Sequence, residues 1–146
     1  MTPITTTRLH ELKDQVLSEK AAASSSVPPE VEHWLRIIHE EFTDPGLTVE
    51  ELFARTGWKK NDIICRFRLC TGYSPKTYIR RLRVALGQKL IKTGYGDNLF
   101  QVAIAAGFET QSAFTKAFAN CTGMTPSAYR GGRKFTRFFK GFFKLS

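Results

Sequence analysis

At 146 residues and 16.5 kDa, with 42% hydrophobic and 24% charged residues, the chain suits one globular domain or two very small ones and is too apolar for intrinsic disorder. No run of about 18 uncharged apolar residues is present to span a bilayer, and residues 1–15 lack the apolar segment of a secretory signal. The formal charge of +9 is one-sided: residues 1–72 hold nine Lys/Arg against eleven Asp/Glu, residues 73–130 eight against two, and residues 131–146 five against none. A basic second half points to a polyanionic partner, either nucleic acid or an anionic membrane surface.

Residues 8–20 place Leu9, Leu12 and Val16 at helical spacing before AAASSSVPP breaks the pattern, which predicts a short helical arm on a linker over residues 1–29. From Glu30, the residues Val31, Trp34, Leu35, Ile38 and Phe42 keep a 3.6-residue period until Asp44-Pro45-Gly46. Thr48 with Glu51 reads as a capping box opening a helix that runs to Thr56-Gly57. A third helix, about 60–70, turns Ile63 and Phe67 inward and ends at Thr71-Gly72. Ser74-Pro75 opens a long helix to about Lys92, carrying Tyr78, Leu82, Ala85, Leu86 and Leu90, and Gly94, Gly96 and Asp97 close it.

The plan then repeats: a short helix from Leu99 to Ala106, a turn at Gly107, a helix over about 110–121 with Phe114 and Phe118 inside, and a last one from Thr125-Pro126. FRLCTGYSPKTYIR (67–80) matches FANCTGMTPSAYR (118–130) almost residue for residue, so one helix-turn-helix unit occurs twice. On a helical wheel of 110–121, Phe114, Ala117, Phe118 and Cys121 share one face, and Ser112, Thr115, Lys116 and Ala119 share the opposite one. Such a polar face fits a major groove, where Gln pairs with adenine, Lys with guanine, and Thr offers a hydroxyl or a methyl. An ordinary solvated helix face is the competing reading of the same residues.

The stretch VAIAAGFETQSAFTKAFANCTGMTPSAYR (102–130) resembles the signature of AraC/XylS-type transcription regulators, with Ala103, Gly107, Phe108, Ser112, Phe114, Phe118, Gly123, Pro126, Tyr129 and Arg130 at the expected places. The resemblance covers about residues 31–130. It implies an all-α fold of two homeodomain-like helix-turn-helix bundles joined by a long linker helix. It also implies a DNA-binding domain over 30–131, with the first helix-turn-helix at about 48–71, the linker helix at about 74–92 and the second helix-turn-helix at about 99–121. The implied function is sequence-specific binding of double-stranded DNA by a transcription regulator, an activator by the family's usual role, with RNA polymerase as a further partner. Gln111, Ser112, Thr115 and Lys116 are then the base- or phosphate-contacting positions of the second unit.

The first unit departs from the family pattern. Phe53 stands where a small residue lets two helices approach, Lys59 stands where a serine usually caps the recognition helix, and Cys65 stands where an arginine is common. Its outward face of Asn61, Asp62, Cys65 and Leu69 predicts weak sequence reading and a partly supporting role, with Lys59, Lys60, Asn61, Arg66 and Arg68 as the weaker DNA-binding set, compensation by other residues being the alternative. Gly87 replaces the usual alanine of the linker helix at a helix-propensity cost of about 1 kcal/mol, and the loop Gly94–Asp97 is about one residue longer than usual. Arg80, Arg81 and Arg83 near the joint, and Arg130, are the candidate phosphate contacts, the solvated side of a helix being the alternative.

Beyond Gly131-Gly132, residues 132–146 place Phe135, Phe138, Phe139, Phe142 and Phe143 at i, i+3, i+4, i+7 and i+8 among Arg133, Lys134, Arg137, Lys140 and Lys144. A basic aromatic face of this kind packs on the body or on the Leu9, Leu12 and Val16 stripe, self-associates, lies on an anionic membrane, or reaches DNA. Cys65, Cys70 and Cys121 lack CxxC spacing and read as reduced thiols in a cytoplasmic protein. His10, His33 and His39 lack ligand spacing, and neither a nucleophile elbow nor a phosphate-cradling loop is present, so no metal, no cofactor and no enzyme activity are expected. Only about 30 residues precede the recognisable region, too few for the ligand-sensing domain of many relatives, which predicts control by abundance or a partner protein. The competing function is a protein-interaction or membrane-associated module on an AraC-like scaffold with weakened DNA recognition.

Overall fold

The computed structural model describes residues 6–20 and 27–131, and over that range the chain forms helices and no strand. The helices are α1 (Thr6–Lys20), α2 (Pro29–Glu41), α3 (Val49–Thr56), α4 (Lys60–Thr71), α5 (Pro75–Lys92), α6 (Leu99–Ala106), α7 (Gln111–Thr122) and α8 (Pro126–Arg130). The first bundle is α2–α4 and the second is α6–α8, and α5 packs against members of both. The five-phenylalanine segment 135–143 lies outside the described residues.

Local chemistry explains where the helices begin. The hydroxyls of Thr48, Ser74, Thr110 and Thr125 each accept from the backbone N–H three residues on, at 3.0–3.3 Å, and the Asn98 side-chain oxygen does the same from Gln101. The capping box at Thr48 is only half made, because the Glu51 carboxylate turns to Arg55 at 2.9 Å instead of back to the cap. Arg55 also reaches Glu41 of α2, and these two hydrogen-bonded carboxylates raise its pKa further above an ordinary arginine's. Lys59 starts α4 with no side-chain cap.

The sequence repeat is a repeat of packing. Phe67 meets Tyr78 in the first bundle and Phe118 meets Tyr129 in the second, both at 5.4 Å between ring centroids. In each copy the Thr-Gly pair makes one turn. Thr71 and Thr122 sit against the carbonyls of Phe67 and Phe118 and accept from the N–H of Tyr73 and Met124, before Gly72 and Gly123 end the helix in the left-handed region. Both tyrosine hydroxyls are pushed up to about 12 by burial.

In the first bundle Phe53 packs, partly buried, against the core. Its ring meets the edge of Trp34 at 5.0 Å, and Trp34 also neighbours Trp58 and Phe67, so an aromatic cluster replaces the expected close helix approach. In the linker helix, Gly87 has its own reason: a Cβ there would stand 2.7 Å from the Phe114 ring, so the glycine makes room for the core of the second bundle.

The N-terminal arm is part of the body. Leu12 and Val16 are buried, α1 packs along α5, and Lys13 donates to the Glu40 carbonyl while its ammonium stands over the Phe42 ring. The stripe offered as a seat for the C-terminal phenylalanines is therefore already covered by described residues. Beside it, the His39 ring nitrogen and the Tyr78 hydroxyl share a hydrogen bond of 2.7 Å. Burial, with a smaller contribution from the Lys13 charge, holds the His39 pKa below the usual value near 6.5. The native state thus binds this proton more weakly than the unfolded chain. Stability should be full above about pH 6.5 and fall as the pH drops toward the depressed folded value. Urea unfolding from pH 7.5 to 5 should show that decline, and His39→Gln should flatten it.

Gln88 is buried within α5, and neither end of its carboxamide has a hydrogen-bond partner among the described residues. Exchanging it for an apolar side chain of the same length removes that desolvation penalty. Gln88→Met is expected to raise unfolding stability by about 1–2 kcal/mol in urea titrations.

Candidate nucleic-acid interface

Helix α7 is built with one face anchored and one face free. Phe114, Ala117, Phe118 and Thr122 are buried, and the Phe114 ring packs on both Phe108 and Phe118, at 5.4 and 5.5 Å. Gln111, Ser112 and Lys116 are exposed and Thr115 is half-buried. Cys121, expected inside, is half-buried at the rim with its thiol pKa raised by burial, and Thr122 takes the interior place because its hydroxyl bonds the last turn. The Thr110 hydroxyl accepts from the Ala113 N–H and the Thr110 carbonyl from the Phe114 N–H, which closes the first turn of α7.

Lys59 at the start of α4, and Lys60, Asn61, Arg66 and Arg68 within it, are all exposed. The 51-residue offset of the repeat sets Lys60, Asn61, Ile64 and Cys65 opposite Gln111, Ser112, Thr115 and Lys116. The first unit thus has a cysteine where the second has its cation and an isoleucine where the second has a threonine. Arg66 is tied to Glu30 at 3.4 Å, and Leu69 is 82% exposed on the outer side.

The arginines of the joint divide by what they already hold. Arg83 points inward: its guanidinium donates to the carbonyls of Phe42 at 2.6 Å, Asp44 at 2.8 Å and Leu47 at 3.2 Å. Those bonds tie Arg83 to the chain just after α2, a structural role that its expected place among the phosphate contacts did not include. Arg81 lies over the Tyr73 ring at 4.4 Å, Arg80 is half-buried, and Arg130 is exposed at the end of α8. Arg80, Arg83 and Lys76 line a groove of about 280 Å³ with Thr48, Ile79 and Phe108.

The two units meet at one tight point. Gly107, the turn glycine of the second unit, has φ +103, and a Cβ on it would lie 2.7 Å from the Phe42 carbonyl oxygen and 2.9 Å from the Thr43 Cα. The same carbonyl receives Arg83. The end of α2, the linker helix and the second turn therefore interlock, a function of Gly107 and Arg83 that motif spacing alone does not show.

A helix-turn-helix domain model matches residues 52–132, more than half of the chain. The chain belongs to the AraC/XylS-type helix-turn-helix family. It is similar to the transcriptional regulator MtrA of Neisseria gonorrhoeae, 28% identical over 88 residues that make up 59% of this chain and 29% of that protein. Among solved structures it is similar to the DNA-binding domain of AdpA, determined in complex with a target DNA, at 30% identity and a TM-score of 0.60, covering 74% of this chain and 93% of that one. The C-terminal domain of AraT from Geobacillus stearothermophilus shares the fold, with a TM-score of 0.68 at 21% identity over 77% of this chain and 93% of its own. As an AraC-type chain it spans 27–40% of the length of the three curated relatives it matches first.

Among the described residues no helix is long and apolar enough to cross a membrane, and no group of three metal-ligating side chains occurs.

Proposed function

We propose that this AraC-type chain is a sequence-specific DNA-binding transcription regulator whose α7 enters the major groove. The observation that carries the reading is the exposed row Gln111, Ser112 and Lys116, with Thr115 beside it, on a helix whose opposite face is held by Phe114 and Phe118. Gln111 suits adenine, Lys116 suits guanine, and Thr115 offers a hydroxyl or a methyl at the groove wall. The AdpA neighbour, solved on its DNA, supports the choice of partner.

Helix α5 has 18 residues and is about 27 Å long at 1.5 Å per residue, against about 34 Å for one duplex turn. The two units therefore address successive major grooves on one side of the duplex, with some bending. The first unit contributes mainly backbone contacts through Lys59, Lys60 and Arg68, with Arg66 joining once it leaves Glu30. Arg80 and Arg130 add phosphate contacts around the joint and the second unit. The regulator acts as an activator, engaging RNA polymerase from the surface left free on DNA, and a reporter downstream of its site should rise when the protein is expressed.

Selection of bound sequences from random duplexes tests this directly. An enriched site should emerge, with log affinity falling against log salt at a slope of about −4.5 to −5.5, as expected for five or six neutralised phosphates. Recovery of no enriched sequence, together with binding to anionic vesicles, would overturn the proposal in favour of a membrane-associated module.

A further inference from the structure

We propose that α4 recognises thymine through its methyl group, with Ile64, Cys65 and Leu69 forming an apolar row on the groove-facing side of the first unit. The inference rests on the proposed DNA reading and gives the first unit a base preference beside its backbone contacts.

The internal repeat defines the row. At the 51-residue offset, Ile64, Cys65 and Leu69 match Thr115, Lys116 and Asn120 of α7. Exposure follows the match: Ile64 and Thr115 are half-buried, whereas Cys65, Leu69, Lys116 and Asn120 are exposed. Three polar positions of the second unit are thus apolar, or weakly polar in the case of the thiol, at the same depth of the surface in the first. The inward face of α4 is Ile63 and Phe67, and Leu69 is 82% exposed, so core packing does not account for the row.

Its surroundings suit a polyanion that carries apolar groups. Lys59, Lys60 and Arg68 are exposed cations beside it, placed for phosphates. Among the four bases only thymine presents a methyl in the major groove. Asn61, one turn before Cys65 and matching Ser112, suits adenine, the base paired with thymine. Ile64 to Leu69 spans about 7.5 Å along the helix, against about 3.4 Å between stacked base pairs, which leaves room for two adjacent methyls.

The test uses the full chain on the site selected from random duplexes. Lys116→Ala marks the half under α7 by the base it ceases to prefer, and the other half lies under α4. That half should contain A·T pairs. Replacing its thymines by deoxyuridine removes only methyl groups and should weaken binding about threefold to fourfold per contacted methyl. Ile64→Ala with Leu69→Ala should bind the thymine and deoxyuridine duplexes equally, and Leu69→Ala alone, at an exposed position that leaves the fold intact, should lose part of the discrimination. Failure to enrich any site would remove the DNA reading and this inference with it. An enriched site whose α4 half holds no thymine, or tolerates deoxyuridine without loss, would overturn this inference alone. So would an equal deoxyuridine penalty in the parent and the double variant, which would place the effect in the duplex. Dissociation of a dimer by Leu69→Ala in sedimentation, with discrimination unchanged, would assign the row to a second copy of the chain and overturn it as well.

Discussion

Gly107→Ala should cost the fold about 3–5 kcal/mol in urea unfolding, the largest loss expected of an alanine at any of the described glycines. Two penalties coincide there. The backbone sits at φ +103, where an L side chain is strained, and the new methyl would press to 2.7 Å from the Phe42 carbonyl oxygen and 2.9 Å from the Thr43 Cα. Those atoms are backbone at the end of α2, and Arg83 holds the same carbonyl, so relief requires the two units to part. Gly72→Ala is the matched control. Its φ is +81 and a Cβ would meet nothing within 4 Å, so only the conformational penalty of about 1–2 kcal/mol applies. Equal losses in the two variants would mean that the Gly107 contact is not tight.

Replacing Gln111, Thr115 and Lys116 together by alanine should weaken binding to a selected duplex by about 4 kcal/mol, close to a thousandfold. Lys116→Ala alone should account for about 1–3 kcal/mol and relax preference at one base pair. Because Gln111 and Lys116 are exposed and Thr115 is half-buried at the rim of α7, unfolding stability should change far less than affinity. Cys65→Ala, at the position in α4 matching Lys116, should leave affinity within about threefold, since a thiol offers a base edge only a weak donor. Fluorescence anisotropy on the same duplex separates these outcomes. A triple variant that binds as the parent does would remove α7 from the interface.

What could be read in advance follows from how local each signal is. Thr48, Ser74, Thr110 and Thr125 announce helix starts because a cap acts within three residues, and the Phe-Cys-Thr-Gly-Ser/Thr-Pro-Tyr repeat announces a recurring turn because its bonds close within one segment. The polar face of α7 was legible for the same reason, as a matter of helical period. Side chains that act across distant segments were not. Arg83 looks like any linker arginine until the end of α2 is beside it, forty residues earlier in the chain. Gly87 reads as a propensity loss until the Phe114 ring is found in its place, and Phe53 reads as an obstruction until Trp34 receives it. The stripe on α1 signals that a partner exists, but only the crossing of α1 with α5 shows which one. At the end of α7, Cys121 and Thr122 exchange roles because the threonine hydroxyl closes the turn, which a wheel of apolar residues does not weigh.

If the polar face of α7 reads bases while the first unit chiefly holds the backbone, the two roles separate in a footprint. Hydroxyl-radical and guanine-methylation footprints on the selected site, for the parent and the Gln111→Ala, Thr115→Ala, Lys116→Ala protein, test it most directly. The parent should protect two backbone stretches about one helical turn apart and block methylation in the major groove of one of them. At concentrations that restore occupancy, the triple variant should keep the backbone pattern and lose the groove protection. Groove protection that persists in the variant would put base reading elsewhere than on α7.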